Sequence, residues 1–257
     1  MFIKFKKLQS YITISLLIFI LFFSSCNQSS NTTELNLPDG FISNVFVDSI
    51  AETVRHMDVK NNGDLYVKFR RQSDEGVLAA IRDLNSDGKA DSIVKFGQYH
   101  IPQRGSYSTG SRIHNGYLYY SSQLTVYRVK LDPQKLVPIS NPEIIVVDDH
   151  EHGSHEHIGK PIAFDDKGHI YVPFGAPNNA CQEPKRTPEA PGLDPCPDLK
   201  LHAGIWRFKS DELNQTQKDG ELFATGLRSI VAMNWNPYDK TLYAERQPRL
   251  LHDFQQD

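Results

Sequence analysis

A strand–turn–strand unit recurs four times in this 257-residue chain, and it limits the possible folds more tightly than any other feature. Its copies are RHMDVKNNGDLYV (Arg55–Val67), SRIHNGYLYY (Ser111–Tyr120), KPIAFDDKGHIYV (Lys160–Val172) and RSIVAMNWNPYDKTLYA (Arg228–Ala244). Each has a short apolar run, a turn of Gly, Asp or Asn, and a second run with Tyr after Leu or Ile. Leu65, Leu118, Ile170 and Leu242 are equivalent positions. They recur about every fifty residues, the last step lengthened by the segment between Cys181 and Cys196. Two further runs follow each of the first three copies: Gly76–Leu84 and Ser92–Gly97, Leu124–Asp132 and Pro142–Asp149, Ala203–Asp211 and Gly220–Leu227. Their alternating apolar and β-branched residues predict strands. Four antiparallel strands per repeat of this length is the arithmetic of a β-propeller blade. The expected fold is all-β, a propeller of three whole blades and half of a fourth. A β-sandwich is the structural rival, but it does not require a repeat.

The first 36 residues read differently. Met1–Lys7 is basic, and Tyr11–Phe23 is an apolar run of signal-peptide length. Phe23-Ser24-Ser25-Cys26 resembles a lipoprotein cleavage box, with Cys26 as the lipidated residue; the plainer reading is an ordinary signal peptide that contains a cysteine. Asn27–Asn36 is a polar tether. The expected organisation is a leader over 1–26, a tether over 27–36 and a propeller domain over 37–257, exported and lipid-anchored to a bacterial membrane. Export leaves Cys181 and Cys196 in an oxidising compartment, where two cysteines around a Pro-rich loop read as a disulfide. A metal pair is the less favoured alternative, for want of further cysteines. The net charge of −3, without blocks of like charge, gives no case for a nucleic-acid partner.

In a propeller the first strand of each blade lines the central channel. The residues leading into those strands therefore meet at one mouth: Arg55 and His56, Gly110–Arg112, His157 with Lys160, and Arg228. A histidine beside cations there suits a general base with an anion cradle. The bland alternative is solvated or salt-bridged side chains. His150, His152, His155 and His157 form a cluster that reads as imidazole metal ligands, a polar loop, or the source of that base. A second metal pattern runs from Asp83 to Asp91. Asp83, Asn85, Asp87 and Asp91 stand at positions one, three, five and nine of a calcium-type loop, with Gly88 sixth and Lys89 seventh. Val94 occupies the twelfth position, where an EF-hand has glutamate, and the flanks are strands. The alternatives are a Ca2+ loop of structural role and an Asp/Asn-rich surface turn.

Several stretches resemble the sorbosone/glucose dehydrogenases that use pyrroloquinoline quinone (PQQ). These are Leu37-Pro38-Asp39-Gly40-Phe41, His157-Ile158-Gly159-Lys160, Gly175-Ala176-Pro177-Asn178-Asn179-Ala180-Cys181-Gln182, Gly192-Leu193-Asp194-Pro195-Cys196-Pro197 and Ala224-Thr225-Gly226-Leu227-Arg228. The resemblance covers about residues 37 to 244. It implies a six-bladed propeller, about three and a half blades of it present and the rest truncated at the C-terminus. It also implies PQQ and Ca2+ as cofactors, and oxidation of a sugar or aldehyde with an unspecified electron acceptor. His157 matches the family's base, with His155 as fallback. Arg228 matches an arginine that contacts the cofactor, and Lys160 is expected as a further anion contact. Ser229 stands where the family has asparagine, and Glu245-Arg246-Gln247-Pro248-Arg249 replaces its Gln-His-Gly-Arg-Asp. Two other readings stay open: a non-enzymatic propeller lipoprotein binding a carbohydrate or protein, and a calcium-dependent lactonase. Glu52 alone offers a carboxylate near the strand starts for the latter.

Overall fold

The computed structural model describes residues 35–50, 52–99, 110–149, 157–185 and 187–246. Cys26, His150, His152 and His155 lie outside them, as does the leader. The chain divides into two units, Met1–Phe46 and Val47–Asp257. The described part of the first is extended, with a turn closed by the Phe41 N–H on the Pro38 carbonyl at 3.2 Å. No described helix is long and apolar enough to cross a membrane.

The second unit is a β-propeller segment. Its first sheet is β1 (Val54–Val59), β2 (Leu65–Ser73), β3 (Gly76–Arg82) and β4 (Ser92–Phe96), hydrogen-bonded in that order. The second is β5 (Ser111–His114), β6 (Tyr117–Ser121), β7 (Thr125–Lys130) and β8 (Glu143–Val147). The third is β9 (Ala163–Phe164), β10 (His169–Phe174), β11 (Gly204–Lys209) and, after an excursion as β12 (Gln215–Thr216), β13 (Glu221–Thr225). β14 (Ile230–Asn236) and β15 (Thr241–Arg246) pair as a two-stranded sheet. Neighbours within each blade are antiparallel, as the repeat predicts. β12 is the exception: it crosses to the second blade and pairs parallel with the outer strand β8.

The turn between the first two strands of each blade explains the repeated glycine. Gly63, Gly116 and Gly168 all hold left-handed backbone, at φ of 90°, 79° and 85°. That region carries a penalty for residues with a Cβ and almost none for glycine. In the fourth blade Lys240 takes the left-handed position, at φ 57°.

The core lies between blades. Leu118 and Tyr120 point to the first blade, where they join Tyr66, Val77, Leu78 and Ala80. Tyr119, one residue out of phase, points to the third, where it joins Ile170, Val172, Phe174, Trp206 and Phe208. Tyr171 then faces the fourth blade with Ile205, Ile230 and Met233. Strands buried on both faces need apolar residues in both phases of the pleat, which is why β3 and β6 read as nearly continuous apolar runs. Each such side chain stabilises the fold by about 1.5–3 kcal/mol.

Polar stitches join one blade to another. The Ile113 N–H donates to Asp58 Oδ2 at 2.6 Å, joining β5 to β1. Arg112 Nη2 donates to the Met233 carbonyl at 3.1 Å, joining β5 to β14. The Ser121 hydroxyl donates to the Lys160 carbonyl at 2.7 Å.

Candidate active site

His157 and Arg228 come from different blades and meet through one short chain of hydrogen bonds. His157 Nδ1 lies 2.8 Å from the Ala176 carbonyl. The Ala176 N–H donates to the Arg228 carbonyl at 2.8 Å. Arg228 Nη1 donates to Asn179 Oδ1 at 3.0 Å. A carbonyl only accepts, so Nδ1 carries the proton and the neutral ring has its lone pair at Nε2. The pairing depends on Gly175. A Cβ there would sit 1.9 Å from the His157 carbonyl oxygen, so any larger residue would drive His157 off the end of β10.

A second group of cations gathers where β1 meets β5. His56 is half-buried among Arg55, Arg112 and Lys68. Burial, and then the charges of those three residues, pushes its pKa down to about 4, so the ring is neutral at pH 7. Lys68 is wholly buried; its ammonium donates to the carbonyls of Phe69 (3.0 Å) and Val77 (3.2 Å) and lies over the Tyr99 ring. Burial pushes its pKa down to about 7. Among the described residues, the buried Ser111 hydroxyl next to Arg112 has no hydrogen-bond partner.

Lys160 is not brought to this group. Its ammonium lies 3.1 Å from Asp148 Oδ2 and 3.3 Å from the Pro173 carbonyl, over the Phe174 ring, with both side chains of the ion pair almost fully buried. The lysine therefore joins the second and third blades, and its ammonium points into the protein.

Asp83, Asn85, Asp87, Lys89 and Asp91 share the exposed loop between β3 and β4, far in sequence from His157. Asp83 accepts from the N–H groups of Asn85 (3.1 Å), Ser86 (2.6 Å) and Gly88 (2.8 Å). These bonds, that of Gly88 first, hold its carboxyl below the usual carboxylate range. Asn85 and Asp87 each accept from the amide two residues on, and Asp91 accepts from the Leu84 N–H at 2.7 Å. Among the described residues, a trio whose ligand atoms lie within 4.8 Å is Cys181, Cys196 and Asp198. Its two sulfurs are bonded to each other, making the expected disulfide.

Asn179 is the functional candidate that sequence reasoning missed. It sits in a Pro/Asn loop without periodicity, and its place within the matching stretch Gly175–Gln182 is the one available signal.

Neither protein-family models nor curated protein sequences match this chain. Solved structures do. One is the holo form of the pyranose dehydrogenase PQQ domain from Coprinopsis cinerea, at TM-score 0.56 and 16% identity, covering 76% of this chain and 44% of that one. Another is the calcium structure of a Trichoderma reesei carbohydrate-active enzyme of family AA12, at TM-score 0.57 and 13% identity, covering 77% and 47%. A third is the PQQ-bound aldose sugar dehydrogenase of Streptomyces coelicolor, at TM-score 0.51 and 16% identity, covering 79% and 58%. The chain spans about half the length of these proteins, and the likeness is one of fold.

Proposed function

We propose that this chain serves PQQ-dependent oxidation of a sugar or sugar-derived aldehyde, with a separate electron acceptor, on the outer side of a bacterial membrane where lipid on Cys26 holds it. The observation that carries the reading is that one loop, 176–179, holds both residues: the Ala176 carbonyl meets the His157 ring, the Ala176 N–H meets the Arg228 backbone carbonyl, and Asn179 accepts from the Arg228 guanidinium. The donor set suits a quinone that bears carboxylates. Arg228 offers a fork that matches a carboxylate, and Arg55 and Arg112 add positive charge along the neighbouring strands. The Ser111 hydroxyl, without a hydrogen-bond partner among the described residues, is a further polar group beside Arg112. When bound, PQQ supplies the two-electron acceptor.

His157 has the part of base. The Ala176 carbonyl fixes the ring and its tautomer, so Nε2 is the atom that takes the substrate hydroxyl proton. Lys160 and Asp148 join the second and third blades through a buried ion pair. The Asp83–Asp91 loop is the candidate Ca2+ site, with a structural part to play. The test uses the full chain with PQQ, a panel of aldoses and aldehydes, and an artificial acceptor. His157→Ala should lower turnover by about 10²–10⁴-fold while PQQ affinity stays unchanged. Full turnover in that variant overturns the base assignment. Absence of PQQ binding by the parent chain overturns the dehydrogenase reading in favour of a binding propeller.

A further inference from the structure

Arg228 reaches its position by an unusual route. Its guanidinium is held by the side chain of Asn179, which belongs to the loop leaving β10. That loop is tied down at every step. Asn178, buried, accepts from the N–H groups of Ala180 and Cys181 and donates to the Asp198 carboxylate. Cys181 bonds to Cys196, and the Cys181 carbonyl accepts from the Leu193 N–H at 2.8 Å. Gln182 reaches the carbonyls of Thr187 and Ala190. The segment from Cys181 to Cys196 is thus a closed hoop, and Asn179 lies two residues before its first cysteine. At the other end of the same loop, the Ala176 N–H is bonded to the Arg228 carbonyl. One short stretch, 176 to 179, grips Arg228 at both backbone and side chain.

We propose that Asn179 is a positioning residue for Arg228, and that the disulfide-closed hoop holds it there. A free arginine fork has several rotatable bonds, and fixing it in advance removes an ordering cost from anion binding. With Nη1 committed to Asn179, the direction of the rest of the fork is set before the ligand arrives. That the anion is a carboxylate of PQQ rests on the function proposed above; the hold of Asn179 on Arg228 does not.

The experiment has two readouts on the full chain. The first needs no cofactor: the ¹H–¹⁵N guanidinium signal of Arg228, assigned by its loss in Arg228→Lys. Slow guanidinium rotation is expected in the parent and averaging in Asn179→Ala. Asn179→Asp, which keeps an acceptor oxygen, should stay slow, and it covers the case in which Asn179→Ala does not fold. The second readout is PQQ titration. Asn179→Ala should weaken binding about tenfold, the loss expected of one hydrogen bond to a charged group, and should cause no further loss in an Arg228→Lys background. An Arg228 signal unchanged by Asn179→Ala, or an equal PQQ loss in both backgrounds, overturns the proposal. If the parent chain does not bind PQQ, the dehydrogenase reading fails, and the guanidinium signal still decides whether Asn179 holds Arg228.

Discussion

Replacing Lys160 with methionine separates a packing role from a ligand-binding one. The Lys160 ammonium lies 3.1 Å from Asp148 Oδ2, and the two side chains are 4% and 3% exposed. Methionine keeps most of the aliphatic stem but leaves the Asp148 charge inside the protein without that cation. Removing one member of a buried ion pair costs about 3–5 kcal/mol, most of it the desolvation of the charge left behind. For a domain of this size the loss corresponds to a fall in Tm of roughly 6–20 °C. The Pro173 carbonyl also loses a donor, and Phe174 loses the cation above its ring. The double variant Lys160→Met/Asp148→Asn should recover a large part of the loss, because neither buried charge remains. Equilibrium urea unfolding of the full chain at pH 7, without ligand, gives the numbers. A lysine facing solvent to meet an anion would cost within about 0.5 kcal/mol. A result that small for Lys160→Met, with simple additivity in the double variant, would refute the packing argument.

Two further outcomes follow from buried and loop charges. Lys68 has a folded-state pKa of about 7 against 10.5 in the unfolded chain, so between those values the unfolded state binds the additional proton. Stability should therefore rise with pH across that window, the full penalty being present below pH 7. With His56 opposite it on β1 and Tyr99 above it as neighbours, Lys68→Met should stabilise the fold at neutral pH by up to roughly 5 kcal/mol. It should also flatten the slope; a pH–stability profile identical to that of the parent contradicts the burial account. At the Asp83–Asp91 loop, Ca2+ at a hundredfold excess over its Kd should raise stability by about 2.7 kcal/mol. A chelator or Asp83→Asn should abolish the gain, and calorimetry showing no Ca2+ heat would leave the loop as a hydrogen-bonded turn.

The sequence carried the architecture well because a propeller writes its fold as a repeat. The glycines at 63, 116 and 168 mark one left-handed turn in three blades, and the double-phase apolar runs mark strands covered on both faces. The disulfide was legible from two cysteines bracketing a Pro-rich loop, read with the export that the N-terminal segment led one to expect. Side-chain partners were not. Lys160 beside a histidine at a strand start reads as a surface cation, and only the fold shows Asp148, twelve residues earlier, meeting it inside the protein. Asn179 and Arg228 are 49 residues apart, and neither lies on a periodic face that would pair them. β12 escaped notice because two residues are too few to show alternation.

That short strand has a consequence for how the molecule unfolds and what it can recruit. Gln215–Thr216 leaves the third blade and docks along β8, the outermost strand of the second. An outer strand is otherwise a template on which a stray chain adds itself. Here the template is filled from within. Covering it also links the opening of two sheets: the second blade cannot peel away from its neighbour unless β12 lets go. Gln215 reinforces the clasp, its side-chain amide donating to the carbonyls of Lys209 and Glu212 at 2.8 Å each. Hydrogen exchange in β8 and in the 210–219 segment should accordingly share a single opening event, with two blades behaving as one cooperative unit.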